Sequence, residues 1–150
     1  MPSFETTRRV DFTSAQMFAL VADVERYPEF LPLCEGLRVI SRERTGDIET
    51  VAAAMVVGYK AIRETFTSRV TLDRTQLAVK AELVEGPFRQ MENHWSFAEA
   101  PGGCVVRFHI AYEFKSVLLQ MLVGAVFDQA VRKYTEAFEA RARVVYGASA

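Results

Sequence analysis

The chain is poor in the residues that announce chemistry. Of its 150 residues, two are cysteine (Cys34 and Cys104) and two are histidine (His94 and His109). The cysteines form no Cys-x-x-Cys pair, so neither a zinc site nor a disulfide framework is indicated, and a reducing cytoplasm fits. Two histidines cannot build a three-histidine metal centre. The sequence holds no Gly-rich phosphate loop, Gly-x-Ser-x-Gly elbow, His-Glu-x-x-His pair or calcium loop. Excess charge of either sign is also missing. The 18 Lys and Arg nearly balance the 19 Asp and Glu, for a net charge of −1. That removes any bulk electrostatic case for DNA or an acidic membrane. The uncharged run Val117–Phe127 is shorter than the ~20 residues a membrane-spanning helix needs. Met1–Arg9 lacks the apolar core of a signal peptide. Repeats and low-complexity stretches are absent.

What is present is a globular composition, 50% hydrophobic and 25% charged, with eleven Phe. The length fits one domain over residues 1–150. The last segment, Ser116–Tyr146, reads as one long helix, roughly 45 Å at 1.5 Å per residue. Its first half, Val117–Phe127, carries no charge. Its second half has an apolar stripe through Ala130, Val131, Tyr134, Phe138, Ala142 and Val145. Ser116 reads as the N-cap, and Gly147 as the residue that ends the helix.

Upstream, Phe4–Phe12 alternates as a first strand. Thr13 and Gln16 have capping-box spacing, and the helix they open ends near Arg26, ahead of Pro28. The apolar, Pro-rich stretch Tyr27–Leu33 is either a plug for one end of the core or an exposed lip. Six strands then follow with short turns: Leu37–Arg44, Ile48–Val57, Lys60–Leu72, Gln76–Glu85, Phe88–Ala98 and Val105–Lys115. That pattern predicts an antiparallel meander. Alternation gives the sheet one apolar face, to be covered by helix, and one polar face. The run Val51–Val57 is apolar on both faces, which fits a partly covered strand of small residues or a subunit contact.

Candidates for chemistry are few. His94 and His109 fall on the polar face. Glu64 and Asn93 fall on the apolar one, where a buried carboxylate can act as acid or base or pair with an arginine. Arg63, Arg69, Arg89 and Arg107 lie along the outer face without the interleaved aromatics that stack bases. The remaining resource is apolar volume, which suits an apolar ligand fixed by a few polar groups.

Four stretches carry a family resemblance. They are Val21–Pro32; Phe66–Val70; Gly86–Arg89 with Trp95–Phe97; and Tyr112–Phe114 with Phe138, Arg141–Ala142 and Tyr146–Gly147. Through them the chain resembles the coenzyme-Q-binding START-domain family, within the START-like and polyketide-cyclase superfamily that also holds the ribosome-association toxins. The resemblance implies an α+β helix-grip fold. In it a curved antiparallel sheet of about seven strands wraps a long C-terminal helix, with two short helices after the first strand. It implies no catalysis, no covalent cofactor and no metal, but a cavity for ubiquinone or a similar isoprenoid lipid.

The expected lining is Phe30, Phe66, Val70, Leu83, Phe88, Met91, Trp95, Phe108, Tyr112, Leu119, Val123 and Phe127. Trp95 or Tyr112 is expected to hydrogen-bond a quinone carbonyl. On this reading the protein is cytoplasmic or peripheral at the inner face of a respiratory membrane, with transient membrane contact and no DNA partner. The family's other activity would make it a ribosomal-subunit binder, favoured by a basic patch at Arg38, Arg42 and Arg44. A cyclase or aromatase would need Glu64, Asn93 and Tyr112 as its acid/base groups.

Overall fold

The computed structural model describes residues 2–147. The elements run β1 (Ser3–Val10), α1 (Ser14–Ala22), a 3-10 helix (Val24–Glu29), β2 (Cys34–Thr45), β3 (Ile48–Tyr59), β4 (Ile62–Asp73), β5 (Ala78–Glu85), β6 (Phe88–Ala100), β7 (Gly103–Phe114), α2 (Val117–Arg132) and α3 (Tyr134–Tyr146). The strands form one antiparallel sheet in the order β1-β7-β6-β5-β4-β3-β2. This is the α+β helix-grip arrangement: the meander folds round its C-terminal helices, and the first strand closes one edge by pairing with the last.

Local chemistry fixes the helix starts. Thr13 Oγ1 accepts from the Gln16 amide at 3.1 Å, and Gln16 Oε1 accepts from the Thr13 amide at 2.9 Å. Both orphan donors are thereby satisfied, as a capping box requires. Ser116 Oγ accepts from the Leu119 amide at 3.1 Å and starts α2 in the same way. The core lies where sheet alternation placed it. Phe66, Ser68, Val70 and Leu72 on β4, and Val106, Phe108, Ile110, Tyr112 and Phe114 on β7, are all buried.

Two expectations about helices are corrected. The first helix ends at Ala22, not Arg26; Val24–Glu29 continues as a 3-10 helix that contains Pro28. Tighter 3-10 turns tolerate the missing amide and carry the chain into the core, where the Tyr27 hydroxyl donates to Val21 O. The long C-terminal helix is likewise two helices, broken at Lys133 (φ −101°, ψ 0°). The Lys133 amide takes an i−3 bond to Ala130 O at 3.0 Å. Beyond the break, α3 seats Phe138 against Trp95, Phe30 and Tyr27, with ring centroids at 5.0, 5.0 and 5.4 Å.

The stretch Tyr27–Leu33 packs inward. Leu31 is buried, and Tyr27 and Phe30 meet Phe138 edge to face. Along β3, Val51, Ala53 and Ala54 are buried, and Ala52, Met55, Val56 and Val57 are half-buried. That pattern fits an internal strand of small residues, partly covered on both faces.

Candidate functional site: an uncharged cavity under the C-terminal helices

Between the sheet and the helices lies a cavity of about 80 Å3. Strands β3–β7 supply its floor through Met55, Phe66, Val70, Met91, Trp95 and Ile110. The 3-10 helix and the turn after it bring Tyr27 and Leu31, α2 brings Phe127, and α3 brings Tyr134 and Phe138. A second cavity, about 30 Å3, lies toward the start of α2. It is lined by Leu33, Val57–Tyr59, Ile62, Pro87, Phe88, Leu119 and Val123. Phe127 contributes to both linings. Its ring centroid is 5.5 Å from that of Phe88, which in turn stands 5.4 Å from Phe66 of the larger cavity. These three rings partition one interior into two chambers.

Sequence and backbone build this partition locally. Gly86 carries the turn from β5 to β6 at φ +148°, and a Cβ there would lie 2.4 Å from Phe66 Cβ. Only glycine lets that turn close over Phe66. At the mouth of the smaller chamber Leu33 holds φ +67°, a costly conformation for a branched side chain. Its carbonyl accepts from the Gly58 amide at 3.0 Å.

The expected lining residues divide. Phe66, Val70, Met91, Trp95 and Phe127 border the larger chamber; Phe88, Leu119, Val123 and again Phe127 border the smaller. Four border neither. Phe30 is taken up by Phe138, and Phe108 lies beneath Trp95 at 4.6 Å. Tyr112 packs behind Phe127 at 4.8 Å. Leu83 is half-buried opposite Ser68 on β4, just past Glu82, where the pairing of β5 with β6 stops. Sequence reasoning missed Tyr27, Leu31, Met55, Ser68 and Tyr134 as lining. Strand alternation puts Ser68 on the same face as Phe66 and Val70, and Tyr134 belongs to the apolar stripe of the C-terminal segment.

The polar groups expected to meet a quinone are engaged elsewhere. Trp95 Nε1 donates to Asn93 Oδ1 at 3.0 Å, while Asn93 Nδ2 donates to His109 O at 2.9 Å. Tyr112 Oη donates to Asp128 Oδ1 at 3.4 Å, a long contact. Burial, with Asp128 beside it, pushes the Tyr112 phenol up to about 12.

Among the described residues no Asp, Glu, His, Lys or Arg lines the larger chamber. Its titratable groups are the phenols of Tyr27 and Tyr134, both driven well above the ordinary range by burial. Neither can act as a base near neutrality. Glu64 is half-buried and borders the smaller chamber, with neither Asn93 nor Tyr112 as a hydrogen-bond partner. His94 and His109 lie together on the outer sheet face, their rings 6.2 Å apart. Among the described residues no cluster of His, Cys, Asp and Glu is placed to hold a metal.

The basic patch expected on β2 is divided by a bulge between Val39 and Ser41. Arg38 pairs opposite Ala54, on the outer face, whereas Arg42 pairs opposite Val51, on the inner. Arg42 is also neutralised by Glu25 at 2.8 Å and Glu49 at 3.2 Å.

Outside the cavity, the first turns of α2 show apolar surface to solvent. Val117, Leu118, Met121 and Leu122 are 77%, 65%, 77% and 53% exposed. No helix among the described residues is long and apolar enough to cross a membrane.

A layered sheet-and-helix grip around an uncharged cavity defines the helix-grip class of START-like proteins. The chain belongs to the polyketide cyclase/dehydrase and lipid transport family, whose model matches residues 10–139. Among relatives, the ribosome association toxin RatA of Escherichia coli is 36% identical over 149 residues, 99% of this chain and 91% of that protein. The coenzyme Q-binding protein COQ10 homolog B of Xenopus laevis is 29% identical, over 96% of this chain and 59% of that protein. The solution structure of an 18 kDa protein from Caulobacter crescentus superimposes with a TM-score of 0.80 at 36% identity, covering 99% of this chain and all of that one.

Proposed function

We propose that this protein is a non-catalytic carrier that binds ubiquinone, or a similar isoprenoid quinone, between sheet and C-terminal helices. One observation carries the reading: the chamber is bordered only by neutral, mostly aromatic and aliphatic groups, and its titratable phenols are locked in their neutral form. Such a site can hold an uncharged apolar molecule and has no acid/base pair to transform it. A relative named as a coenzyme Q-binding protein supports the same ligand class.

At about 80 Å3 the chamber is smaller than the roughly 300 Å3 at which ordinary ligand pockets begin. Binding therefore requires expansion. Met55 and Met91 are adaptable wall residues, and displacement of Phe127 joins the two chambers. The joined cavity runs toward α2, whose exposed apolar face supports transient contact with a lipid surface, where a long-tailed quinone resides. On this reading the protein works beside a respiratory membrane rather than in it.

The test is organic extraction of protein purified from a quinone-producing host, followed by mass spectrometry. Ubiquinone at a sizeable fraction of the protein is expected. Protein that is empty and takes up no added quinone would refute the reading.

A second reading rests on the 36% identity to RatA across nearly that protein's whole length. The chain would then bind a ribosomal subunit and impede subunit joining. Added protein should shift 70S particles toward free subunits in a sucrose gradient; unchanged profiles dismiss it.

A further inference from the structure

The chamber wall contains polar groups of two kinds. Asn93, Trp95 and Tyr27 are internally satisfied: Asn93 bonds Trp95 Nε1 and His109 O, and the Tyr27 hydroxyl donates to Val21 O. Ser68 and Tyr134 are different. Both border the same chamber, from opposite layers, Ser68 in mid-β4 and Tyr134 at the start of α3. Ser68 is 8% exposed. Neither hydroxyl makes a hydrogen bond to another described side chain or to the backbone, and the Tyr134 phenol is perturbed chiefly by burial. Both hydroxyl oxygens keep accessible surface where they border the chamber, so a ligand held there is the partner open to them. Replacing tyrosine by phenylalanine would preserve the packing of Tyr134 on Phe108, whose ring centroid is 6.1 Å away.

We infer that Tyr134 and Ser68 are the groups that fix the ligand's headgroup, each donating a hydrogen bond to an oxygen acceptor on an uncharged ring. This rests on the carrier reading and narrows its ligand class. The ligand is a neutral molecule with acceptor oxygens, such as a quinone carbonyl or a ring methoxy group, joined to an apolar tail. A fatty carboxylate does not fit, because no cation lines the chamber. The nearby Cys34 thiol, pushed up to about 11 by burial, stays protonated at neutral pH and adds no charge. Trp95 and Tyr112 pack near the ligand without binding its oxygens, because their donors are already engaged.

The sole tryptophan, Trp95, lines the chamber and reports occupancy through quenching by a bound quinone. Wild type, Tyr134→Phe, Ser68→Ala and the double variant are titrated with a short-tailed ubiquinone. A tail-matched alkylbenzene competes against it, and circular dichroism and thermal melting check the fold. Each single variant should weaken quinone binding about three- to tenfold, one neutral hydrogen bond's worth, and the double variant more. Alkylbenzene affinity should not change in any of them. A folded double variant that binds quinone like wild type overturns the hydroxyl assignment and leaves the carrier reading standing. Wild type that binds neither compound overturns both.

Discussion

The two C-terminal helices lie end to end in the sequence and stand in opposite relation to the rest of the molecule. Helix α3 is bolted down. Phe138 and Ala142 are buried, and its polar side chains reach distant elements. Arg8 Nε donates to Glu139 at 2.6 Å, Arg141 to Glu29 at 2.6 Å, and the Tyr146 hydroxyl to Gln16 O at 2.9 Å. Helix α2 has no buried residue before Gly124, and four large apolar side chains of its first two turns face solvent. One end of the cavity is therefore closed by packing and ion pairs. The other is covered by a helix held mainly through Phe127, Ala130 and Val131. Local stability follows buried contacts, so on the carrier reading α2 is the element expected to open ahead of α3.

The anchoring of α3 rests most heavily on Phe138. Phe138→Ala removes a ring that three aromatics touch, and should cost about 3–5 kcal/mol in urea unfolding. A loss below about 1 kcal/mol would mean that α3 does not anchor the fold.

On the α2 side the large effect should fall on binding. Val123 is half-buried at the smaller chamber. Val123→Asp should leave a folded protein whose affinity for a short-tailed ubiquinone drops at least about tenfold, because a carboxylate must be desolvated to admit the ligand. Intact affinity in a folded variant would place the ligand's route elsewhere.

A third test sharpens the closed end. Glu49, whose side chain is 13% exposed, bridges Arg74 at 3.0 Å and Arg42 at 3.2 Å. Burial alone would raise its carboxyl, but hydrogen bonds from Arg74 and then Arg42 outweigh that and hold it below its ordinary 4.5. The stabilisation is complete above that value and is lost as pH falls through the lower folded value. Glu49→Gln should cost about 1–2 kcal/mol at pH 7. The gap from wild type should narrow below pH 4.5, and a gap independent of pH would remove the ion pairs from the account.

The smallest stability effect belongs to α2's outer face. Leu118→Ser with Met121→Ser should change unfolding free energy by less than about 0.5 kcal/mol per site, yet reduce co-sedimentation with phospholipid vesicles. Undiminished vesicle binding would leave that face without a lipid role.

The sequence made the strands legible because each has one buried face. The helix starts were legible because Thr13, Gln16 and Ser116 cap by local rules. The break at Lys133 was not. Phe127, Val131, Phe138 and Ala142 keep helical phase across it, and neither Gly nor Pro marks it. The β2 bulge was equally silent, and it moved Arg42 to the face opposite Arg38. Within the cavity, parity found Phe66, Val70, Met91 and Trp95, since period-two alternation reports side-chain direction. It could not report that Trp95 and Asn93 satisfy each other and leave Ser68 and Tyr134 without partners, because that accounting depends on distances across strands and helices.

The most direct test of the account is amide hydrogen exchange read separately over α2 and α3, with and without a short-tailed ubiquinone. In the free protein the amides of Leu119–Val123 should exchange well ahead of those of Ala137–Ala142, and added quinone should slow the α2 set selectively. Equal protection of the two helices, unmoved by quinone, would contradict the claim that α2 is the door to the cavity.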